Sequence, residues 1–133
     1  MSLNTAHSAE DQGGVILFAG ELIIIFYDGV SVKFEGADAK SFHGTWKGRI
    51  YLTTHRMVFV NTSGKSKLMS FSFPFGHISN LGLEQPIFGA NFITGKVKSE
   101  PQGNWSGECN FSLSFAKGGA VEFGRALMNA KNM

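Results

Sequence analysis

The sequence predicts a mainly β domain of seven or eight strands closed by one C-terminal helix, and three observations carry that prediction. Apolar residues alternate with polar ones in several short stretches, the period of strands. Thirteen Phe and 17 Gly among 133 residues suit strands joined by tight turns. After Gly118-Gly119 the period changes: Ala120, Phe123, Leu127 and Ala130 recur at steps of three and four, which makes an amphipathic helix able to cap an open barrel end. No βαβ alternation is present, so a parallel α/β fold is excluded.

Taken in order, residues 1–14 are polar and form a flexible segment, with the domain proper running from 15 to 133. Leu22–Phe26 and Val30–Phe34 flank Asp28-Gly29, a dipeptide suited to a hairpin turn with positive φ. A loop over Glu35–His43 leads to a strand over Thr45–Thr53, with Trp46, Gly48, Ile50 and Leu52 on one face and Lys47, Arg49, Tyr51 and Thr53 on the other. Further strands are expected over Arg56–Val60, Leu68–Phe73 (Phe face inward, ended by Pro74), His77–Leu83, Phe92–Lys98 and Glu108–Phe115. Leu22, Ile24, Phe71, Phe111, Leu113, Phe115, Phe123 and Leu127 are assigned to one core.

Composition excludes several classes of function. The single cysteine, Cys109, forbids an internal disulfide and favours a reducing compartment. The N-terminal residues lack the apolar run of a secretory signal, and Leu22–Tyr27 is too short to span a bilayer. The sequons at Asn61, Asn104 and Asn110 are therefore read as inert. His7, His43, His55 and His77 are scattered outside any ligand pattern, so no metal is expected. Gly64-Lys65-Ser66 resembles the end of a phosphate-binding loop, but Phe59 occupies the earlier glycine position. Neither a G-x-S-x-G nor a G-x-G-x-x-G element occurs, and Cys109 alternates in phase with Phe111, Leu113 and Phe115 as a buried thiol would. No catalytic residue and no cofactor is expected.

Charge is uneven along the chain. From Ala39 to Leu83 there is no Asp or Glu, while Lys40, Lys47, Arg49, Arg56, Lys65 and Lys67 give this stretch +6 and leave the remainder at −4. Such a dipolar chain is able to meet an anionic partner, or the cations merely solvate a strand surface. Lys47, Arg49, Lys65 and Lys67 are the anion- or lipid-binding candidates, with Arg56 behind them. Trp105, in a Gly-rich loop, is the protein-interface candidate, whereas Trp46 shares a face with Ile50 and Leu52 and is assigned to packing. Phe88-Gly89-Ala90-Asn91 carries no charge or nucleophile and is read as architectural.

Three stretches bring in a family. Gly44–Val60, GTWKGRIYLTTHRMVFV, resembles the GRAM domain signature. Gln85–Glu100, QPIFGANFITGKVKSE, and Gly103–Met128, GNWSGECNFSLSFAKGGAVEFGRALM, resemble the WW-domain-binding protein 2 family and its sperm relatives. The resemblance implies a pleckstrin-homology-like barrel of two antiparallel sheets with a C-terminal helix. It further implies a non-catalytic adaptor of cytoplasm and nucleus that acts with nuclear receptors and WW-domain proteins as a transcriptional coactivator. GRAM domains in general imply a second possibility, phosphoinositide or membrane binding. One departure stands out: Pro74, Pro86 and Pro101 are the only prolines and none lies in a PPxY motif, so WW domains have no ligand in this chain. The chain stops just after the helix, as a truncated piece or a short relative would.

Overall fold

Alternating stretches become strands only when a neighbour fixes their register, and here every named pair of strands is antiparallel. The computed structural model describes residues 1–9, 13–63 and 66–133. In chain order its strands are β1 (Ser2–Leu3), β2 (Ile23–Glu35), β3 (Gly44–Thr53), β4 (Arg56–Asn61), β5 (Ser70–Pro74), β6 (Ile78–Glu84), β7 (Phe92–Lys98) and β8 (Glu108–Phe115). The helix α1 (Ala120–Lys131) follows. The two expected sheets are the two arms of one eight-stranded sheet ordered β1-β5-β4-β3-β2-β8-β7-β6. They meet in β2, which pairs with β3 from Ile23 to Phe34 and with β8 only from Val30 to Glu35.

The hairpin expected at Asp28-Gly29 is a bulge instead. Residues on both sides of it pair with β3 in the same direction, so the chain never reverses, and the register shifts between Tyr27 and Val30. Gly29 does take positive φ, 67°, which lets the strand bend without breaking. The reversal comes later, in the loop after Glu35, where the short turn Ala37–Ala39 drops Ala39 and Phe42 into the core.

That core is largely aromatic. Phe34 lies 5.0 Å from Phe42 and 4.8 Å from Phe71 by ring centroids, and Phe59, Phe73 and Phe111 complete the cluster. At the other end α1 turns Ala120, Phe123, Leu127 and Ala130 inward, the four positions that its period marked. Phe123 packs 5.4 Å from Phe115 and 6.1 Å from Tyr27. The helix can begin so close to the sheet because Gly119, at φ 111°, has no Cβ: one would sit 2.6 Å from the Tyr27 ring.

Two expectations need correction. Leu22 and Ile24 lie outside the core and are exposed, Leu22 by 67%. The first half of β2 has a neighbour on one side only, and a register shift between Ile23 and Ile25 disturbs its alternation. The N-terminal residues, expected to be flexible, supply β1: Ser2 pairs with Ser72 and Leu3 with Phe71, while Met1 is fully buried. Ala6 then packs with Tyr51, Val58 and Val60 in a second small core. This cover explains why β4 is buried on both faces and why Ser70 and Ser72 of β5, opposite the Phe face, are buried too.

The contrast between Phe123 and Leu22 is measurable. In urea unfolding, Phe123→Ala should lower stability by about 3–5 kcal/mol, whereas Leu22→Ser should stay within about 0.5 kcal/mol of the parent. Equal losses at the two positions would contradict the burial described.

Candidate functional site

A cation is available to a ligand only if no acid within the fold has already claimed it, and two of the arginines are claimed. Arg56 is buried on β4, with Nε donating to Glu21 Oε2 at 2.9 Å and Nη2 to Oε1 at 3.1 Å. Its remaining nitrogen Nη1 donates to Ser72 Oγ, and Nη2 also reaches the Ile16 carbonyl at 2.7 Å. Burial pushes the Glu21 carboxyl up, but hydrogen bonds from Arg56, Thr53 and the Phe18 amide outweigh it and hold the group below its ordinary value. The ring of Phe18 lies over the guanidinium at 4.1 Å.

Arg49, on β3, forms a two-pronged pair with Asp28 at 2.7 and 3.3 Å and donates to the Tyr51 hydroxyl at 3.1 Å. Those contacts raise its pKa and, from the other side, lower that of Asp28. The Tyr51 hydroxyl in turn donates to the Gly13 carbonyl at 2.6 Å. Of the other sequence-marked cations, Lys47 is exposed on the same face of β3 and Lys67 is exposed in the β4–β5 loop. Lys65 lies outside the described residues. Arg49 is therefore not an unclaimed charge beside Lys47 and Lys67.

Trp105, marked as an exposed interface residue, is half-buried and anchored. Its indole nitrogen donates to the Met1 carbonyl at 2.9 Å and its ring stands edge-on to Phe42 at 5.0 Å. Trp46 is half-buried against the core as assigned, donating to the Phe42 carbonyl.

The surface that sequence reasoning missed is apolar. Ile16, Leu17, Phe18, Leu22, Ile23, Ile24 and Phe26 are all exposed, Phe18 by 57% and Phe26 by 52%. The Arg56 pair pins Glu21 and the Ile16 carbonyl to the sheet, and the side chains between them are left facing outward. Phe26 lies beside Tyr51, at 5.7 Å, and beneath the Arg49 guanidinium at 5.1 Å. A second apolar feature is the β6–β7 loop, where Ile87 and Phe88 are 94% and 90% exposed. The Phe88 motif, read as architectural, instead projects its aromatic ring into solvent.

Other chemistry is sparse. A polar hollow of about 360 Å³ lies on the outer face of β2, β8 and β7, but Lys33–Glu35 and Lys96–Glu108 ion pairs occupy its neighbourhood. Cys109 is buried as expected, and burial pushes its thiol up to about 11. Among the described residues no cluster of His, Cys, Asp and Glu could hold a metal ion, and no helix is long and apolar enough to cross a membrane.

The family model for the GRAM domain matches residues 19–133. WW domain-binding protein 2 of Mus musculus is 42% identical over 130 residues, which cover 96% of this chain and 49% of that protein. Postacrosomal sheath WW domain-binding protein of Bos taurus is 38% identical over 133 residues, covering 98% of this chain and 42% of that one. The chain thus spans about half the length of these curated relatives or less. Among solved structures, a Vps36 N-terminal PH domain superposes with a TM-score of 0.70, covering 98% of this chain and 93% of its own at 17% identity. That likeness bears on the fold, which is of the pleckstrin-homology type.

Two measurements check this geometry. Arg56→Ala leaves Glu21 buried without its partner and should cost about 3–5 kcal/mol in urea unfolding. In the native chain at pH 8, the neutral, buried Cys109 thiol should resist a disulfide reagent until the protein is unfolded. Rapid labelling of the native chain would contradict its burial.

Proposed function

The chain belongs to the GRAM domain family, and on that premise we propose that it is a non-catalytic docking module that binds protein partners through the apolar surface around β2. One contrast carries the reading. Arg49 and Arg56 are paired with Asp28 and Glu21, while Phe18, Leu22 and Phe26 stand exposed beside them. Exposed apolar groups gathered on one surface are characteristic of an interaction site. Aromatic side chains are the usual anchors of such sites.

Action as an adaptor with nuclear receptors, coactivation of transcription and residence in cytoplasm and nucleus belong to the same proposal and are supported by family resemblance. WW binding, which the relatives' names declare, would need a proline-rich ligand. Pro74, Pro86 and Pro101 do not form one, so a panel of PPxY-specific WW domains should show no saturable binding to this chain at micromolar concentration.

A second reading, docking on anionic membrane, is favoured by the exposure of Lys47 and Lys67. Each such cation near an anionic bilayer is worth about 1 kcal/mol. Sedimentation with phosphatidylserine-containing and neutral vesicles, at low and high salt, separates the readings. The protein-docking reading expects weak, lipid-indifferent sedimentation. It also expects Phe18→Ser with Phe26→Ser to abolish partner capture that Lys47→Glu with Lys67→Glu leaves intact. Salt-sensitive binding to anionic vesicles, lost in the lysine double variant, would replace it with the membrane reading.

A further inference from the structure

A strand inside a sheet satisfies its main-chain N–H and C=O groups on both sides, and β2 does so only in its second half. From Val30 to Phe34 it lies between β3 and β8. The last bond on the β8 side runs from the Ala116 amide to the Gly29 carbonyl. Before that point, from Ile23 to Asp28, β2 has β3 on one side and, among the described residues, no strand on the other. The main-chain groups that point away from β3 are presented outward.

Natural sheet edges are commonly blunted by a lysine, a proline or an inward charge. Leu22-Ile23-Ile24-Ile25-Phe26-Tyr27 has none of these, and past the register shift between Ile23 and Ile25 it keeps Ile25, Phe26 and Tyr27 in step with β3. The edge ends in the Asp28-Gly29 bulge, and the carboxylate there is already held by Arg49. Ile16, Leu17 and Phe18, which precede this run, are exposed as well.

We propose that two copies of the chain join through this edge, β2 against β2, in an antiparallel pairing that continues the sheet across a two-fold axis near Ile25. The inference rests on the reading of this surface as one that docks protein. The edge itself selects the occupant. A bilayer offers nothing to satisfy outward amides, and a helix has already used its own main-chain groups. An extended strand satisfies both sides at once. The strand must also match an uncharged apolar run, and the run is its own match. With Ile25 on the axis, Ile23 meets Tyr27, Ile24 meets Phe26, and Asp28 falls opposite Leu22, so no like charges face each other. An antiparallel pairing of one edge with its own copy is isologous and closes at two.

Sedimentation velocity from low micromolar to millimolar concentration tests this, read together with hydrogen exchange at single amides. The expected result is a concentration-dependent species of twice the 14.4 kDa chain mass, with protection gained at amides between Ile23 and Asp28. Ile24→Lys sets two ammonium groups near the axis and should weaken the dimer at least about tenfold, since like charges across an interface cost several kcal/mol. Its urea midpoint, close to the parent's, shows that the chain still folds. Ile87→Lys, in the β6–β7 loop, should leave the dimer unchanged. A chain that stays monomeric throughout, or a dimer whose protection lies elsewhere or which Ile87→Lys disrupts, overturns the pairing. Partner capture in the Phe18→Ser with Phe26→Ser variant judges the docking reading separately, so a failed dimer does not decide it.

Discussion

The fold depends on β2 remaining one strand across Asp28-Gly29. Its second half sits at the centre of the sheet, with Val30, Val32 and Phe34 in the core and β8 hydrogen-bonded alongside. Its first half continues along β3 but leaves β8 behind, and the bulge is where the two conditions meet. The bend at Gly29 turns the first half aside, and the start of α1 approaches Tyr27 there. Core, helix placement and exposed edge therefore share one cause.

Charge follows the same geometry. The acid-free stretch from Ala39 to Leu83 looks unbalanced along the chain, yet in space Arg49 and Arg56 take their counter-ions from Asp28 on β2 and Glu21 just before it. Strand pairing brings residues 21 to 35 positions apart into hydrogen-bond contact. The buried Arg56–Glu21 pair is also a structural fastener, because it binds the Ile16 carbonyl and so holds the preceding segment on the sheet. A buried pair of this kind is favourable only when its remaining hydrogen-bond capacity is filled, and here Ser72, Thr53 and the Phe18 amide fill it.

Periodicity made much of this legible in advance. The bounds of β7 and β8 coincide with their alternating runs, and the inward positions of α1 coincide with its three-and-four spacing. Cys109 fell on the buried face for the same reason. Asp28-Gly29 was ambiguous because a hairpin turn and a bulge both want a glycine at positive φ, and local sequence does not say which partner the flanking runs will choose. Likewise, alternation says which side chains share a face but not whether a neighbour covers it. Ile24 looks like a core residue in a strand with two neighbours and is a surface residue in one with a single neighbour, and Leu22, also exposed, lies just before the strand. Trp105 could not be placed because its partner, the Met1 carbonyl, lies 104 positions away.

That last contact has a consequence for the order of assembly during synthesis. The Leu3 amide donates to the Gly103 carbonyl, Asn104 donates to the Leu3 carbonyl and Trp105 to that of Met1. Residues 1–3 thus settle only after residues 103–105 have been made. Until the loop between β7 and β8 emerges, the outer edge of β5 has its covering strand in hand but no clasp to hold it. Contacts of such sequence separation slow folding, because the entropy of closing the long loop is lost before the contacts form. For that interval β5, with Phe71 and Phe73, is an edge that a nascent-chain chaperone would have reason to guard.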